Sequence, residues 1–257
     1  MTSIPNPKSQ IQNRLLPWLD VLAITAWGAL IVKYWFTDKL NLLIHPDYFW
    51  LAMSGGIGLL IVGFAKAGQL WQQRRRYEPP STQHFSLFPP GWGSALLLTA
   101  AILGLMITPR VFASDKALQG GVTELVGATR AQPQAFRATV RPEERSLVDW
   151  VRTLNVYPEP DSYTGQKVKV QGFVIHPPDM GKDYLFLARF VITCCAADAY
   201  PAGLPVKLKG TRDQYPPDIW LEVEGQMVTE NLLGKRQLTI AANSLKTIPQ
   251  PKNPYSY

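Results

Sequence analysis

The chain has 257 residues, of which 46% are hydrophobic and 18% charged, and its formal net charge is +7. A charged fraction below the roughly 25% typical of soluble proteins, together with only 2 Cys, excludes a disordered chain, a coiled coil and a disulfide-knotted peptide. Residues 1–145 hold 14 basic and 8 acidic residues, whereas residues 146–257 hold 12 and 11. The basic excess therefore belongs to the apolar half, which indicates membrane topology rather than a nucleic-acid partner.

Three apolar stretches predict an N-terminal membrane domain over residues 1–107, with transmembrane helices at about 15–36, 48–70 and 92–107. A helix needs about 20 apolar residues to cross the hydrocarbon core of a bilayer. The third stretch is shorter than this, but prolines and a glycine bound it clearly. Trp and Tyr at the margins of the stretches are typical of aromatic belts. We therefore expect the lipid bilayer to be a partner.

The basic residues between the stretches predict the orientation. Arg74, Arg75 and Arg76 form the strongest basic cluster, in the loop between the second and third helices. The positive-inside rule places this loop and the N-terminus in the cytoplasm. Three crossings then place the chain after Ile107 on the outer side of the membrane.

Small residues in the second stretch predict a helix-packing surface. Gly55, Gly56 and Gly63 would let another helix backbone approach closely. The partner helix belongs either to another protein or to this chain, and the sequence favours neither.

The residues after the third stretch predict a linker over 108–145, followed by an extracytoplasmic domain over 146–257. A helix is expected to open at Pro142, because Glu143 and Glu144 suit the positive end of a helix dipole. Its apolar stripe consists of Leu147, Val148, Val151 and Leu154, with Trp150 beside it.

From Gly165 onward the apolar period changes to two, which predicts β-strands. Five strands are expected, at about 167–174, 183–192, 205–209, 220–225 and 236–240. Short strands in this number, with Gly172 suited to a sharp bend, favour a small OB-like β-barrel, and a small β-sandwich is the alternative. The predicted fold class is thus a membrane protein of the α + β type.

The segment from Arg189 to Asp198 contains the candidate ligand or partner residues Arg189, Cys194, Cys195 and Asp198. The adjacent cysteines could bind a soft metal ion such as Zn or Cu, with Asp198 or His176 as a further ligand. That requires a turn, since neighbouring side chains of a strand point to opposite faces. The pair could instead form a strained vicinal disulfide. In the simplest interpretation one cysteine packs inward and the other lines a surface pocket.

Nothing in the sequence predicts an enzyme. The three His are His45, His84 and His176, which the predicted topology places on different sides of the membrane. The sequence contains no glycine-rich phosphate loop, no nucleophile elbow and no His-Glu-x-x-His pair. We therefore expect no catalytic residues and no certain cofactor.

Several segments together resemble one known family. They are Ile44-His45-Pro46, Tyr163-Thr164-Gly165-Gln166-Lys167-Val168, Gly172-Phe173-Val174, Ala188-Arg189-Phe190, Cys194-Cys195-Ala196-Ala197-Asp198-Ala199 and Pro251-Lys252-Asn253-Pro254-Tyr255-Ser256-Tyr257. With them the chain resembles the YcgQ-type family of bacterial two-component permease subunits. The resemblance implies a bacterial plasma-membrane complex, in which this protein accompanies a separate polytopic permease.

Three functional hypotheses follow. The leading one is an accessory subunit of a membrane permease complex. The alternative is a stand-alone membrane-tethered metal or thiol sensor that uses Cys194 and Cys195. An envelope binding module for carbohydrate or peptide ranks third, because it depends only on the OB-like architecture.

Overall fold

A computed structural model describes residues 7–75, 92–119 and 141–257 of the chain. The chain divides into two compact units, Met1–Pro109 and Arg110–Tyr257. Three features of the sequence interpretation lie outside the described residues: Arg76 of the basic cluster, His84, and residues 120–140 of the predicted linker.

The N-terminal unit contains three helices, α1 (Pro7–Phe36), α2 (Phe49–Arg75) and α3 (Trp92–Met106). Two segments, Leu16–Phe36 and Pro46–Gln72, are long and apolar enough to cross a membrane. Helix α3 has 15 residues, so it is about 22 Å long at 1.5 Å per residue. Because the hydrocarbon core is about 30 Å thick, the third crossing stays a prediction.

Helices α1 and α2 pack closely at glycines. A Cβ placed on Gly56 would lie 2.9 Å from Cγ2 of Ile31, and one on Gly63 would lie 2.5 Å from Oγ1 of Thr25. The order of these contacts makes the two helices antiparallel. A Cβ on Gly55, in contrast, would meet no atom within 4 Å. Two of the three predicted packing glycines therefore pack within this chain, and Gly55 faces outward.

Polar side chains form hydrogen bonds between helix α3 and helix α1. A hydroxyl, an indole, a phenol and an ammonium group donate hydrogen bonds across this helix pair. The bonds join Ser94 to Asp20, Trp27 to the carbonyl of Leu97, Tyr34 to that of Gly104 and Lys33 to that of Leu105. Since both sequences ascend together along these contacts, α1 and α3 run parallel.

The C-terminal unit contains six strands. They are β1 (Lys167–Ile175), β2 (Tyr184–Val191), β3 (Tyr200–Lys207), β4 (Trp220–Leu232), β5 (Lys235–Ile248) and β6 (Tyr255–Ser256). All five predicted strands are present, and β6 is an addition. Strand β4 is longer than predicted because it continues to a two-residue turn, and β5 is longer because it continues beyond residue 240 to Ile248. Leu233 and Gly234 of that turn both have positive φ, as in a type I′ hairpin.

Strand pairing is cyclic. Strand β1 pairs antiparallel with β2 and β4, β2 with β3 and β4 with β5, and β3 pairs parallel with β5. Within this ring each of β1 to β5 has two neighbours, in the circular order β1–β2–β3–β5–β4, and β2 pairs in addition with β6. Strand β1 changes partner near Gly172, where a Cβ would lie 2.6 Å from the carbonyl oxygen of Ala188. Gly172 thus lies where β1 and β2 approach too closely for a larger side chain.

Helix α5 (Leu147–Val156) covers strands of this sheet and begins later than the sequence predicted. Pro142–Glu144 form a separate 3-10 turn. The start of α5 is set by a capping box, in which Ser146 and Asp149 each accept a hydrogen bond from the other's backbone N–H. The predicted apolar stripe is buried: Leu147, Val148, Trp150, Val151 and Leu154.

Part of the predicted linker packs on the C-terminal unit. The ring of Phe112 lies 5.3 Å from that of Phe190 and 5.9 Å from that of Tyr255. The backbone N–H of Ser114, which opens the short helix α4 (Ser114–Gln119), donates to the carboxylate of Asp218. Residues 110–119 are thus part of the folded unit rather than a tether.

Candidate functional site

The connection between β2 and β3 contains the candidate site. The first residue after β2, Ile192, is buried, and its N–H donates to the carbonyl of Ser256 at 3.0 Å. The chain then reverses over residues 193–198, which we call the cysteine turn, and ends it with a 3-10 turn at Ala196–Asp198. The turn is therefore anchored on a buried residue before it emerges at the surface.

Asp198 closes the cysteine turn. Its Oδ1 accepts the N–H of Thr193 at 3.1 Å and its Oδ2 accepts that of Cys194 at 2.8 Å. Its own N–H donates to the carbonyl of Cys195 at 3.0 Å. Because one carboxylate accepts hydrogen bonds from two successive backbone amides, it stabilises the tight turn that these residues form.

The turn brings both cysteines to one side of the chain. Cys194 is exposed, Cys195 is half-buried, and both are free thiols. Their Sγ atoms lie 3.7 Å apart, so the turn that a shared ligand requires is present. Neither thiol is buried in the core, which disagrees with an inward-packed cysteine.

The carboxylate of Asp198 also affects whether the thiol of Cys194 is protonated. Its hydrogen bond with the thiol, and then the neighbouring Cys195 thiol, raise the pKa of Cys194 to about 11. Burial opposes ionisation of Asp198, but hydrogen bonds from Cys194 and Thr193 outweigh it and lower the pKa of this carboxyl. At neutral pH the turn thus holds a carboxylate beside a protonated thiol, which is a weak nucleophile.

Arg189, a predicted ligand or partner candidate, binds the C-terminal tail (residues 251–257). It lies on β2 and donates to the carbonyls of Asn253 at 2.8 Å and Pro254 at 3.3 Å. Its guanidinium carbon also lies 5.6 Å from the ring centre of Trp220. Burial lowers the pKa of this guanidinium. The side chain is therefore engaged inside the domain, apart from the thiols.

Two tail contacts were missed by the sequence interpretation. Nη2 of Arg152, on α5, donates to the carbonyl oxygen of Tyr257 at 2.8 Å. The hydroxyl of Tyr257 donates to Oδ1 of Asn253 at 2.8 Å. Strand β6 has only two residues, which is too short for an alternating pattern to reveal. The tail motif of the family resemblance was the only signal that could have found it.

The metal interpretation lacks a third ligand within the described part of the chain. Over residues 7–75, 92–119 and 141–257, no three side chains of His, Cys, Asp or Glu are grouped to hold a metal ion. Nε2 of His176 lies 2.8 Å from the carbonyl oxygen of Tyr215. This histidine follows β1, whose last residue, Ile175, pairs with Phe186 near the start of β2. It therefore lies at the opposite end of β2 from the cysteines.

These features define a class of protein: apolar helices long enough to cross a membrane, followed by a cyclically paired β-domain with two adjacent free cysteines outside its core. Residues 134–257 match the family described as DUF1980 C-terminal domain. The UPF0703 protein YcgQ of Bacillus subtilis (strain 168) is 26% identical over 104 residues. These two matches support the assignment to the YcgQ-type family that the resemblance indicated, and this is a family of unknown function.

Both matches concern part of each protein. The aligned residues make up 40% of this chain and 36% of the YcgQ protein. The chain therefore aligns with about a third of the length of that relative, and activities or partners of the whole relative do not transfer directly.

Proposed function

We propose that this protein is a non-enzymatic accessory subunit of a bacterial two-component permease complex. Its helices would pair with a separate polytopic permease in the plasma membrane, and its β-domain would act on the outer side. Membership of the YcgQ-type family and the construction of the helical unit support this proposal.

The observation that carries the proposal is that the charged side chains in the apolar segment of α1 form hydrogen bonds with α3. Within the apolar segment Leu16–Phe36, Asp20 and Lys33 are the charged residues, and both bond to α3. Ionisable groups in a membrane usually line a substrate path or pair inside the bundle. Here they hold the bundle together, so conduction would need a second protein.

The outward topology of the β-domain rests on the third crossing. The parallel course of α1 and α3, and the antiparallel course of α2, support an alternating three-span bundle. Three crossings with a cytoplasmic N-terminus would place residues 110–257 outside the cytoplasm. The circular pairing of β1 to β5 supports an OB-like barrel rather than a sandwich, whose two sheets would leave free edge strands.

Affinity purification from native membranes in mild detergent, with mass spectrometry of bound proteins, tests the proposal. We expect a polytopic membrane protein at a stoichiometric level with the unmodified chain. Recovery of the chain without a polytopic partner would contradict the proposal.

Two adjacent glycines supply a matched pair of variants for this experiment. Gly55→Leu adds bulk to the outward face of α2 and should reduce recovery of the permease while the chain itself remains stable. Gly56→Leu drives a side chain into Ile31 of α1 and should lower the amount of folded chain. Equal permease recovery with the unmodified chain and Gly55→Leu would exclude this face as the docking surface.

A further inference from the structure

The distance between the two cysteine sulfurs matches the distance between two thiolates that bind the same metal ion. Zn²⁺ bound by thiolates has Zn–S bonds of about 2.3 Å in tetrahedral geometry, which places two sulfurs about 3.8 Å apart. The Sγ atoms of Cys194 and Cys195 lie 3.7 Å apart. A disulfide, in contrast, requires about 2.05 Å. The pair is thus spaced for a shared ligand and would have to close further to oxidise.

The cysteine turn is organised before any ligand arrives. Asp198 bonds the amides of Thr193 and Cys194 and donates to the carbonyl of Cys195. The buried Ile192 anchors the start of the turn. A donor pair held in this way loses little conformational freedom when an ion binds.

The charge beside the thiols favours a cation. The carboxylate of Asp198 lies within the turn, where its Oδ2 accepts the N–H of Cys194 at 2.8 Å. A negative carboxylate beside two thiols attracts a metal ion, which replaces the thiol protons when it binds. The turn is therefore suited to holding a soft cation.

We propose that Cys194 and Cys195 form an open two-thiolate chelate for a soft divalent cation of the Zn²⁺ type. Each thiol gives up its proton when the ion binds. Asp198 positions the turn through the hydrogen bonds that its two oxygens accept from the two backbone amides. The remaining coordination positions are taken by water or by a second molecule, so the site is open rather than a closed structural one. This inference stands on the turn alone and does not depend on a permease partner.

Metal titration of the full chain in mild detergent, reduced and freed of metal, tests the proposal. Since Cys194 and Cys195 are the only cysteines, thiolate-to-cobalt charge-transfer absorption on adding Co²⁺ would report this pair alone. We expect that absorption to appear and to be reversed by Zn²⁺. Cys194→Ala and Cys195→Ala should each abolish it and weaken Zn²⁺ binding at least about tenfold.

The Zn²⁺ affinity of a control variant, and two outcomes that would contradict the proposal, are part of the same experiment. His176→Ala removes a potential ligand at the other end of β2 and should leave Zn²⁺ affinity unchanged. Circular dichroism of each cysteine variant would verify folding. Zn²⁺ binding as tight in the double alanine variant as in the unmodified chain would overturn the proposal. So would a Cys194–Cys195 disulfide in protein whose free thiols were alkylated in intact cells before isolation.

Discussion

The reactivity of Cys194 depends on one neighbour. The thiol is exposed, so access does not limit its reaction, and the carboxylate of Asp198 holds its pKa at about 11. The thiolate is the reactive form. The residue is therefore accessible yet slow to react near neutral pH, with reactivity that rises as the pH approaches 11.

Replacing the carboxylate should release this thiol. In a Cys195→Ala background, Asp198→Asn removes the negative charge, so the pKa of Cys194 falls and more thiolate is present at pH 8. We expect faster alkylation by iodoacetamide at pH 8 and a rate–pH curve displaced to lower pH. The Cys195→Ala chain with Asp198 intact is the reference. Identical curves would show that Asp198 does not control the thiol.

Gly203 illustrates a glycine required by packing rather than by its φ angle. It lies on β3 opposite Ala188 of β2, and a Cβ there would lie 2.9 Å from the Ala188 Cα. Gly203→Ala should force β2 and β3 apart and lower the free energy of unfolding by about 1–3 kcal/mol. Gly210→Ala is the control, since its nearest new neighbour is the Gln214 side chain at 3.7 Å. Urea unfolding of both variants measures the difference.

At the scale of elements, the C-terminal tail depends on side chains far away in sequence. Strand β6 pairs parallel with the end of β2, and its short ladder is supported by Arg189 and Arg152. Two ladder residues supply little stability alone. The arginine contacts therefore decide whether the tail stays docked.

Arg189→Leu should loosen the tail without unfolding the domain. The carbonyls of Asn253 and Pro254 lose their donor, so we expect faster amide hydrogen exchange at Tyr255–Tyr257 and at Ile192, whose N–H bonds to Ser256. Amides in the middle of β4 and β5 should keep their protection. Lys246→Leu, on the exposed outer end of β5, is a control that should leave tail exchange unchanged.

Several elements were predictable from local pattern. The buried stripe of α5 and the alternation in β1 and β4 follow from residues a few positions apart. The limits of β3 and β4 were less predictable. Pro201 and Pro205 obscure β3, and the turn at Leu233–Gly234 lacks the Asn-Gly signal of its type.

For the whole molecule, the decisive question is the side of the membrane on which the β-domain lies. The two native cysteines are confined to that domain, and Cys194 is exposed. A membrane-impermeant maleimide added to intact cells should therefore label the chain as extensively as it does in lysed cells. The slow reaction of this thiol affects both samples equally. Labelling only after lysis would place the domain in the cytoplasm.

Local pattern and composition were enough to locate the apolar stretches, the five main strands and the cysteine pair. Which of these residues meet became visible only in the folded chain. It showed that Gly56 packs on α1 and Gly55 does not, and that Arg189 binds a tail 64 residues away. It also showed that Asp198 turns both thiols to one side. The physical reason is that periodicity reports which face of an element is apolar, whereas hydrogen-bond partners depend on how distant elements pack.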